Sequence, residues 1–244
     1  MSAHVGIVCT HIGEIRPFMK RLDRVRKYAD EGCTFRGGFL HETIRIAIVE
    51  AGQGFARHRK AAEILVREHR PKWVLCLGFS SSLSDNVKFG DLSVANEIVD
   101  THGQKLDVHC RISSSRRIHV GRHVVADGHP LREREKAELA RSSNAICVDT
   151  SSLAVAQVCQ ELSTKFMSIR SIVDSLAGDM PESAASLVFS PTSKAVGTAI
   201  GTLVKGLKRV SELNTWRKRA NDSAENLDRF AAGIVLQIGD QLRD

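Results

Sequence analysis

Short apolar segments alternate with amphipathic segments along most of this chain, and this alternation restricts its fold more than any other feature. Apolar, β-rich runs occupy residues 4–9, 73–77 and 166–172, and the 56–69 segment between them has helical spacing. The 73–77 run is wholly apolar, which is typical of a strand buried on both faces. The pattern predicts an α/β fold of three layers, with a mostly parallel or mixed central sheet flanked by helices.

Three further segments complete this prediction. The apolar spacing of residues 14–28 predicts a helix, and the mostly small residues of 78–82 predict a loop directly after the 73–77 strand. Beyond Pro191 the pattern is helical, with helices predicted at 193–213 and 223–242. We therefore divide the chain into an α/β domain, 1–206, and a C-terminal helical extension, 207–244, that packs on the same domain or on a partner chain.

Composition limits the classes of partner. The 244-residue chain carries a net charge of +7, but aromatic residues make up only 5% of it, which is poor material for stacking nucleic-acid bases. A solvated basic surface is therefore favoured over a nucleic-acid footprint. We predict no membrane partner either, since no apolar run approaches the roughly 18 residues of a transmembrane helix.

Cysteine usage and the N-terminus predict a cytoplasmic protein. None of the six cysteines forms a CxxC pair, and three of them lie in apolar runs, as expected of free thiols in a reducing compartment. Met1 leads almost directly into an apolar strand, without the features of a signal peptide. The histidines and cysteines are too scattered to predict a metal site.

Asp174 stands just past the predicted strand 166–172. Open α/β sheets place their chemistry at the C-terminal ends of strands, and a half-desolvated carboxyl there can hold a proton and donate it to a leaving group. An aspartate after a strand is also a common helix N-cap. Spacing alone does not separate these two interpretations.

Nucleotide-cofactor motifs are missing from the sequence. Gly52-Gln53-Gly54 is not followed by the Lys-Ser/Thr of a P-loop, no G-x-G-x-x-G follows the first strand, and no G-x-S-x-G occurs. ATP, NAD and a serine-hydrolase mechanism are therefore disfavoured. We predict no cofactor.

Several segments occur in a recognisable order: Val5–Val8 with Glu14, Glu50–Gly54, Lys72–Asp91, Cys147–Ala156 and Arg170–Asp174. In this order they resemble the nucleoside phosphorylase superfamily, particularly its methylthioadenosine/S-adenosylhomocysteine nucleosidases and their phosphorylase relatives. The resemblance covers about residues 4–205. It implies cleavage of the N-glycosidic bond of a purine-type (deoxy)ribonucleoside or related ribosyl compound, by phosphate or water.

The resemblance also implies roles for individual residues. Asp174 would be the general acid at the departing base, and Glu14 would help to activate the attacking water. The implied substrate-binding residues are Phe79, Ser80, Ser81, His129, Asp149, Thr150 and Ser151. Ser82 and Arg57 are candidates for binding phosphate or another anion. The family usually completes its sites across a subunit interface, so a homo-oligomer is expected, most simply a dimer.

Each of these residues also has an ordinary structural interpretation. Glu14 suits the first turn of a helix, and the serines and His129 suit polar turns. Arg57 suits a solvated basic helix face.

The chain departs from the family pattern at the ribose end of the site. The carboxylate that holds the ribose hydroxyls in the family falls on Ser151, and Phe79 replaces a small polar residue. A carboxylate makes stronger, charge-assisted hydrogen bonds than a serine hydroxyl, although Asp149 keeps a carboxyl nearby. The alternative hypothesis is therefore a catalytically impaired member that acts as a ligand-binding or regulatory protein.

Overall fold

The computed structural model describes residues 2–190 and 207–242, and within them ten strands form one sheet. The strands are β1 (Val5–Cys9), β2 (Leu22–Asp30), β3 (Cys33–Leu40), β4 (Ile44–Glu50), β5 (Trp73–Ser82), β6 (Leu92–Asp100), β7 (Lys105–Asp107), β8 (Ile118–Val125), β9 (Cys147–Asp149) and β10 (Lys165–Asp174). The helices are a 3-10 turn (Ile12–Ile15), α1 (Arg16–Met19), α2 (Phe55–His69), α3 (Glu133–Ser143), α4 (Ser152–Glu161), α5 (Glu182–Phe189) and α6 (Leu207–Gln241).

The sheet closes on itself over half of its strands. The strand order is β10-β6-β8-β9-β5-β1-β4-β3-β2, and an additional parallel pairing of β10 with β5 completes a ring of five strands. β6 and β9 contribute the antiparallel pairings of this ring. Strands β1 to β4 extend the sheet outward from β5, with β1 parallel to both β4 and β5. The predicted mixed sheet is confirmed.

Helices cover both faces of the sheet, and β5 shows how. Leu75 and Leu77 point to the face covered by α6, whereas Val74 and Cys76 point to the face covered by α2 and α4. All four side chains are fully buried, as alternation along a strand covered on both sides requires. The predicted three-layer α/β fold with a C-terminal helix is therefore confirmed.

The helix predicted over 14–28 is wrong beyond its first turns. Ile15 and Phe18 are buried as predicted, but α1 ends at Met19 and the chain continues as strand β2, which pairs antiparallel with β3. Beyond Leu22 the side chains of β2 are exposed, so the apolar spacing does not decide their structure. The backbone hydrogen bonds that β3 offers decide the structure of this segment. The charged side chains of β2 protect this outer strand from further pairing.

The loop predicted at 78–82 is also wrong, because β5 continues through Ser82. β10 pairs with one side of this extension, and β9 pairs with the other at Ser81 and Ser82. Neighbouring strands satisfy the backbone there, so small polar side chains do not end the strand. The extension carries Phe79 and the serines into the interior.

The C-terminal part differs in one respect from the prediction. Helix α6 runs without a break from Leu207 to Gln241, where two helices were predicted, and residues 193–206 of the first lie outside the described residues. Helix α5 was not predicted. The division at residues 206 and 207 stays a prediction, although α6 packs on the sheet. In the described ranges no helix is both long and apolar enough to span a bilayer.

Candidate active site

A small cavity lies where the C-terminal ends of β1, β5, β9 and β10 converge. Its volume accessible to the centre of a water molecule is about 10 Å³, which is room for about one water. This is the position at which open α/β sheets bind ligands. The cavity is lined by Thr10, Glu14, Gln53, Phe79, His129, Asp149, Thr150, Ser151, Arg170 and Phe189.

Glu14 is buried and held from two strands. Its Oε2 accepts hydrogen bonds from the amides of Thr10 (2.9 Å) and His11 (3.2 Å), and its Oε1 accepts one from the amide of Phe79 (3.0 Å). The 3-10 turn after β1 brings the side chain back over its own N-terminus, and β5 supplies the third donor. The carboxylate is thereby fixed in orientation at the edge of the cavity. Glu14 therefore does more than place a negative charge in the first turn of a helix.

Arg170 and Asp149 form a buried ion pair beside Glu14. Arg170 Nη2 donates to Asp149 Oδ1 (3.3 Å) and to the Ser151 hydroxyl (3.0 Å), and both charged side chains are at most 2% exposed. Asp149 also caps helix α4, since its Oδ1 accepts the amides of Ser151 and Ser152, both at 2.7 Å. Burial raises the pKa of Asp149, but Arg170, His123 and the hydrogen bonds from Ser152 and Ser151 together outweigh it, and the pKa lies below its usual value.

These hydrogen bonds engage Asp149, the carboxylate that was expected to compensate for Ser151 at the ribose end of the site. Oδ1 of Asp149 is shared between α4 and Arg170, and Oδ2 accepts the Ser152 hydroxyl at 2.7 Å. Ser151 and Thr150 line the cavity, but the Ser151 hydroxyl already accepts a hydrogen bond from Arg170. The hydrogen-bonding groups that remain at this wall are mainly neutral hydroxyls.

Two aromatic rings close the cavity on another side. The His129 ring stacks on Phe189 with centroids 3.6 Å apart and an angle of 9° between the planes. Burial lowers the pKa of His129 to about 4, so its ring is neutral at neutral pH. His129 follows β8 in the turn predicted from the sequence, and Phe189 ends α5. Two flat faces, one of them a neutral imidazole, thus meet at the cavity.

Asp174 is buried but does not line this cavity as the structure stands. It is the last residue of β10, and its Oδ2 accepts a hydrogen bond of 3.0 Å from the ammonium of Lys136, which is also buried. Burial raises the pKa of Asp174 above its usual value, although the Lys136 ammonium opposes the shift. Helix α5 begins only at Glu182, so Asp174 is not the N-cap of a helix.

The remaining candidates are spread around the site. Ser80 is buried, and its hydroxyl donates to the Val148 carbonyl at 2.6 Å. Ser81 lies opposite Asp174 in the pairing of β5 with β10. The Ser82 hydroxyl donates to the Ser84 carbonyl at 2.8 Å, and Arg57 lies exposed at the start of α2. The structure therefore does not bring Ser82 and Arg57 together as an anion site.

Five residues of the site region were not singled out from the sequence: Thr10, Gln53, Lys136, Arg170 and Phe189. Arg170 was visible only as part of a segment, and a charged residue at the centre of an apolar strand was the signal that could have identified it. Lys136 lies on an otherwise polar helix, and only its burial distinguishes it. No group of three metal-binding side chains occurs among the residues that the structure describes.

Gly78 leaves room for the side chains of Glu14 and Arg170, which both lie close to its backbone. A Cβ atom there would lie 2.6 Å from Arg170 Nη1 and 2.9 Å from Glu14 Oε1. Both side chains are buried and hydrogen-bonded, so Gly78→Ala is expected to destabilise the protein by about 1–3 kcal/mol through overpacking. Chemical denaturation would measure this. Gly233→Ala is the matched control, since nothing lies within 4 Å of its added Cβ and an alanine favours helix α6. Equal stability of the two variants would contradict the prediction.

Comparisons with known proteins agree with this architecture. The model of the phosphorylase superfamily matches residues 107–209. The 5′-methylthioadenosine/S-adenosylhomocysteine nucleosidase of Thermotoga maritima is 39% identical over 61 residues, which are 25% of this chain and 28% of that relative. The matched stretch is thus less than a third of the curated relative's length.

Solved structures match over nearly the whole chain. The methylthioadenosine/S-adenosylhomocysteine nucleosidase of Colwellia psychrerythraea, in complex with adenine, has a TM-score of 0.73 at 20% identity and covers 98% of this chain and 96% of its own. The native futalosine hydrolase of Helicobacter pylori has a TM-score of 0.68 at 19% identity, with coverage of 93% and 96%. At these identities the likeness shows the fold. Together with the family model, it confirms the resemblance to the nucleoside phosphorylase superfamily.

Proposed function

We propose that this protein cleaves the N-glycosidic bond of a purine-type nucleoside or related ribosyl compound, with water as the attacking group. One observation supports this most directly. The fixed Glu14 carboxylate, the hydroxyls of Thr150 and Ser151, and a pair of flat rings surround a single cavity at the C-terminal ends of the strands. The relatives are named nucleosidases and a hydrolase, and this favours water over phosphate.

In this mechanism the base binds at the aromatic wall. The purine ring stacks on the ring faces of His129 and Phe189 that now contact each other. These two rings must therefore separate to admit the base, because the cavity holds only about one water. A neutral imidazole and a phenyl ring both stack well on a heterocycle. The ribose then lies toward Thr150 and Ser151.

The attacking water lies at Glu14. Two amides hold Oε2 and one holds Oε1, so the carboxylate keeps acceptor capacity on Oε1 for a water proton. As the bond from the sugar to the base breaks, the ribosyl carbon gains oxocarbenium character and the water attacks it. Glu14 accepts the proton that the water loses.

The departing base takes a proton from Asp174 on the other side of the breaking bond. The carboxyl is sheltered at the end of β10, and burial raises its pKa, which is the direction that a general acid needs. Lys136 engages Oδ2, so in this proposal Oδ1 is the oxygen that donates the proton to the base. Opening of the aromatic wall is what brings the base to this oxygen.

The experiment is an assay for free base after incubation with methylthioadenosine, adenosine, inosine and uridine, each with and without phosphate. Release without phosphate from the purine nucleosides is the expected result. Release that depends on phosphate would replace hydrolysis by phosphorolysis. Glu14→Gln is the matched variant, because it keeps the shape of the side chain and removes its ability to accept a proton.

A second candidate function is ligand binding without turnover. Two observations favour it. Ser151 stands where the family pattern has a carboxylate, and Asp149 is engaged by α4 and Arg170. Neutral hydroxyls would grip a ribose more weakly than a carboxylate does. Calorimetric binding of a nucleoside in the absence of any base release would establish this alternative.

We also propose that the protein is a homodimer that covers a wider cleft beside the cavity. This cleft has a volume of about 540 Å³, and Thr150 lines both it and the small cavity. Phe55, at the start of α2, lies on the cleft wall and is 41% exposed. Aromatic side chains are enriched at protein–protein interfaces, and this supports an interface that includes Phe55.

Phe55→Asp is expected to convert the dimer to a monomer, because it replaces an aromatic side chain of the proposed interface by a charge. Light scattering coupled to size-exclusion chromatography would measure the mass. Val25→Asp is the control, since Val25 is 43% exposed but lies on β2, away from the cleft. A dimer in both variants would place the interface elsewhere.

A further inference from the structure

Lys136 is a buried cation for which the proposed mechanism gives no role so far. Its ammonium donates to three acceptors: Asp174 Oδ2 at 3.0 Å, the Ser175 carbonyl at 2.6 Å and the Gly178 carbonyl at 2.8 Å. The side chain is completely buried. An ammonium has three donors, so every one of them is used within a single turn of the chain. Burial of a charge is costly unless it is paired in this way.

All three acceptors belong to the segment that begins with Asp174. Lys136 therefore fixes both the carboxyl and the backbone that follows it. The same segment is tied to the start of α3 by further hydrogen bonds: the Gly178 amide donates to Glu133 at 2.6 Å, and the Glu133 amide donates to Asp179 at 2.9 Å. The segment 174–179 and the first turns of α3 thus form one rigid unit.

This unit reaches the aromatic wall. Helix α3 follows the turn that carries His129, and the Met180 amide donates to the Leu131 carbonyl at 2.8 Å. Met180 precedes α5, whose last residue is Phe189, the ring on which His129 stacks. The acid and both walls of the proposed base site are consequently connected through the start of α3.

The charges around Asp174 come from more than one element. Lys136 of α3 is its ion-pair partner, and the Arg219 guanidinium of α6 acts on it in the same direction. The Lys136 ammonium also interacts electrostatically with Asp179. Burial acts in the opposite direction and raises the pKa of Asp174. The proton affinity of the carboxyl is therefore raised by burial and lowered by the two cations and by the Ser81 side chain.

We propose that Lys136 is a positioning residue for Asp174, which orients the carboxyl toward the base and adjusts its protonation. This inference rests on the proposed function, because it assigns Asp174 the role of acid. The lysine itself touches neither base nor sugar. Its ammonium holds one oxygen of the carboxyl, so that the other is presented to the leaving group.

Lys136→Met tests the proposal through the pH profile of kcat. A general acid is active while protonated, so activity is lost as the pH rises through the pKa of Asp174. Removal of a cation within hydrogen-bond distance raises that pKa, and the alkaline limb is expected to move up by about one pH unit or more. The plateau of kcat is expected to fall by about tenfold or more, because the carboxyl is no longer held in place.

Lys136→Gln is the second variant, in case the apolar side chain impairs folding. Glutamine lacks the charge but keeps two N–H donors for the carbonyls of Ser175 and Gly178. Arg134→Met is the matched control, because Arg134 lies on the same helix with its side chain 85% exposed. A purely structural role would lower the folded fraction of the variants and leave the alkaline limb of the folded enzyme unchanged.

A carbon-13 NMR titration of the Asp174 carboxyl separates this inference from the proposed function. The Asp174 signal is assigned by its loss in Asp174→Asn. If its titration midpoint is the same in the wild type and in both Lys136 variants, the inference is overturned, whatever the activity. If the midpoint moves up but no nucleoside releases a base, the ion-pair coupling stands, and the roles of acid and positioning residue fail with the proposed function.

Discussion

Asp174→Asn is expected to lower the rate of base release by about 10²–10⁴-fold, the range typical of losing a general acid. The asparagine amide has nearly the shape of the carboxyl and still accepts a hydrogen bond from Lys136, but it has no proton of suitable acidity to give to the leaving base. The substitution is expected to lower mainly kcat, since the acid acts in the transition state. Measurement of free base under saturating substrate would show it.

The same substitution leaves the Lys136 ammonium buried without its counter-charge, which costs up to about 3–5 kcal/mol of stability. The double variant Asp174→Asn/Lys136→Met removes both charges and is expected to recover much of this stability but none of the activity. Recovery of the activity would show that Asp174 contributes only a structural ion pair. Full activity of the single variant would remove Asp174 from the mechanism.

Arg170→Met is expected to destabilise the fold by about 3–5 kcal/mol at neutral pH, because it removes one partner of a buried ion pair. Arg170 is the only cation in hydrogen-bond contact with Asp149 among the described residues, and both groups are buried. Its loss leaves the Asp149 carboxylate uncompensated in the core, where it also caps α4. Urea denaturation at pH 7 would measure the difference.

The pH dependence of this effect follows from the pKa of Asp149. In the wild type the folded-state pKa lies below the unfolded value, so the stabilising contribution is present above the unfolded pKa and is lost as the pH falls through the folded one. Without Arg170 the folded-state pKa rises. The stability gap between variant and wild type should therefore shrink on acidification, as the variant takes up a proton first.

Arg170→Met/Asp149→Asn is the matched control for this second prediction. The asparagine oxygen can still accept the amides at the start of α4, so the double variant should be more stable than Arg170→Met alone. A stability gap that does not change with pH, or a double variant no more stable than the single one, would show that Arg170 stabilises the fold by packing and not through Asp149.

Parts of the site were predictable from the sequence because the order of its motifs resembles that of a known family. The resemblance singled out Glu14, Phe79 and Ser151, and all three line the cavity. Arg57 and Ser82 were singled out from local composition, which says nothing about the direction of a side chain, and they do not line it. Lys136 was not identified, since its burial arises from contacts with the 174–178 segment, nearly forty residues away along the chain.

Some features of the fold were likewise predictable from the sequence, and others were not. Hydrophobic periodicity is a local property, and by itself it determined the alternation of strands and helices, the buried β5 and the α/β class. Tertiary pairing decided the rest: β2 became a strand because β3 offered it hydrogen bonds, β5 continued through three serines because β9 and β10 flank it, and β10 closed the ring against β5. Backbone groups must find partners wherever the chain brings them, and partners far away in sequence leave no mark on the local pattern.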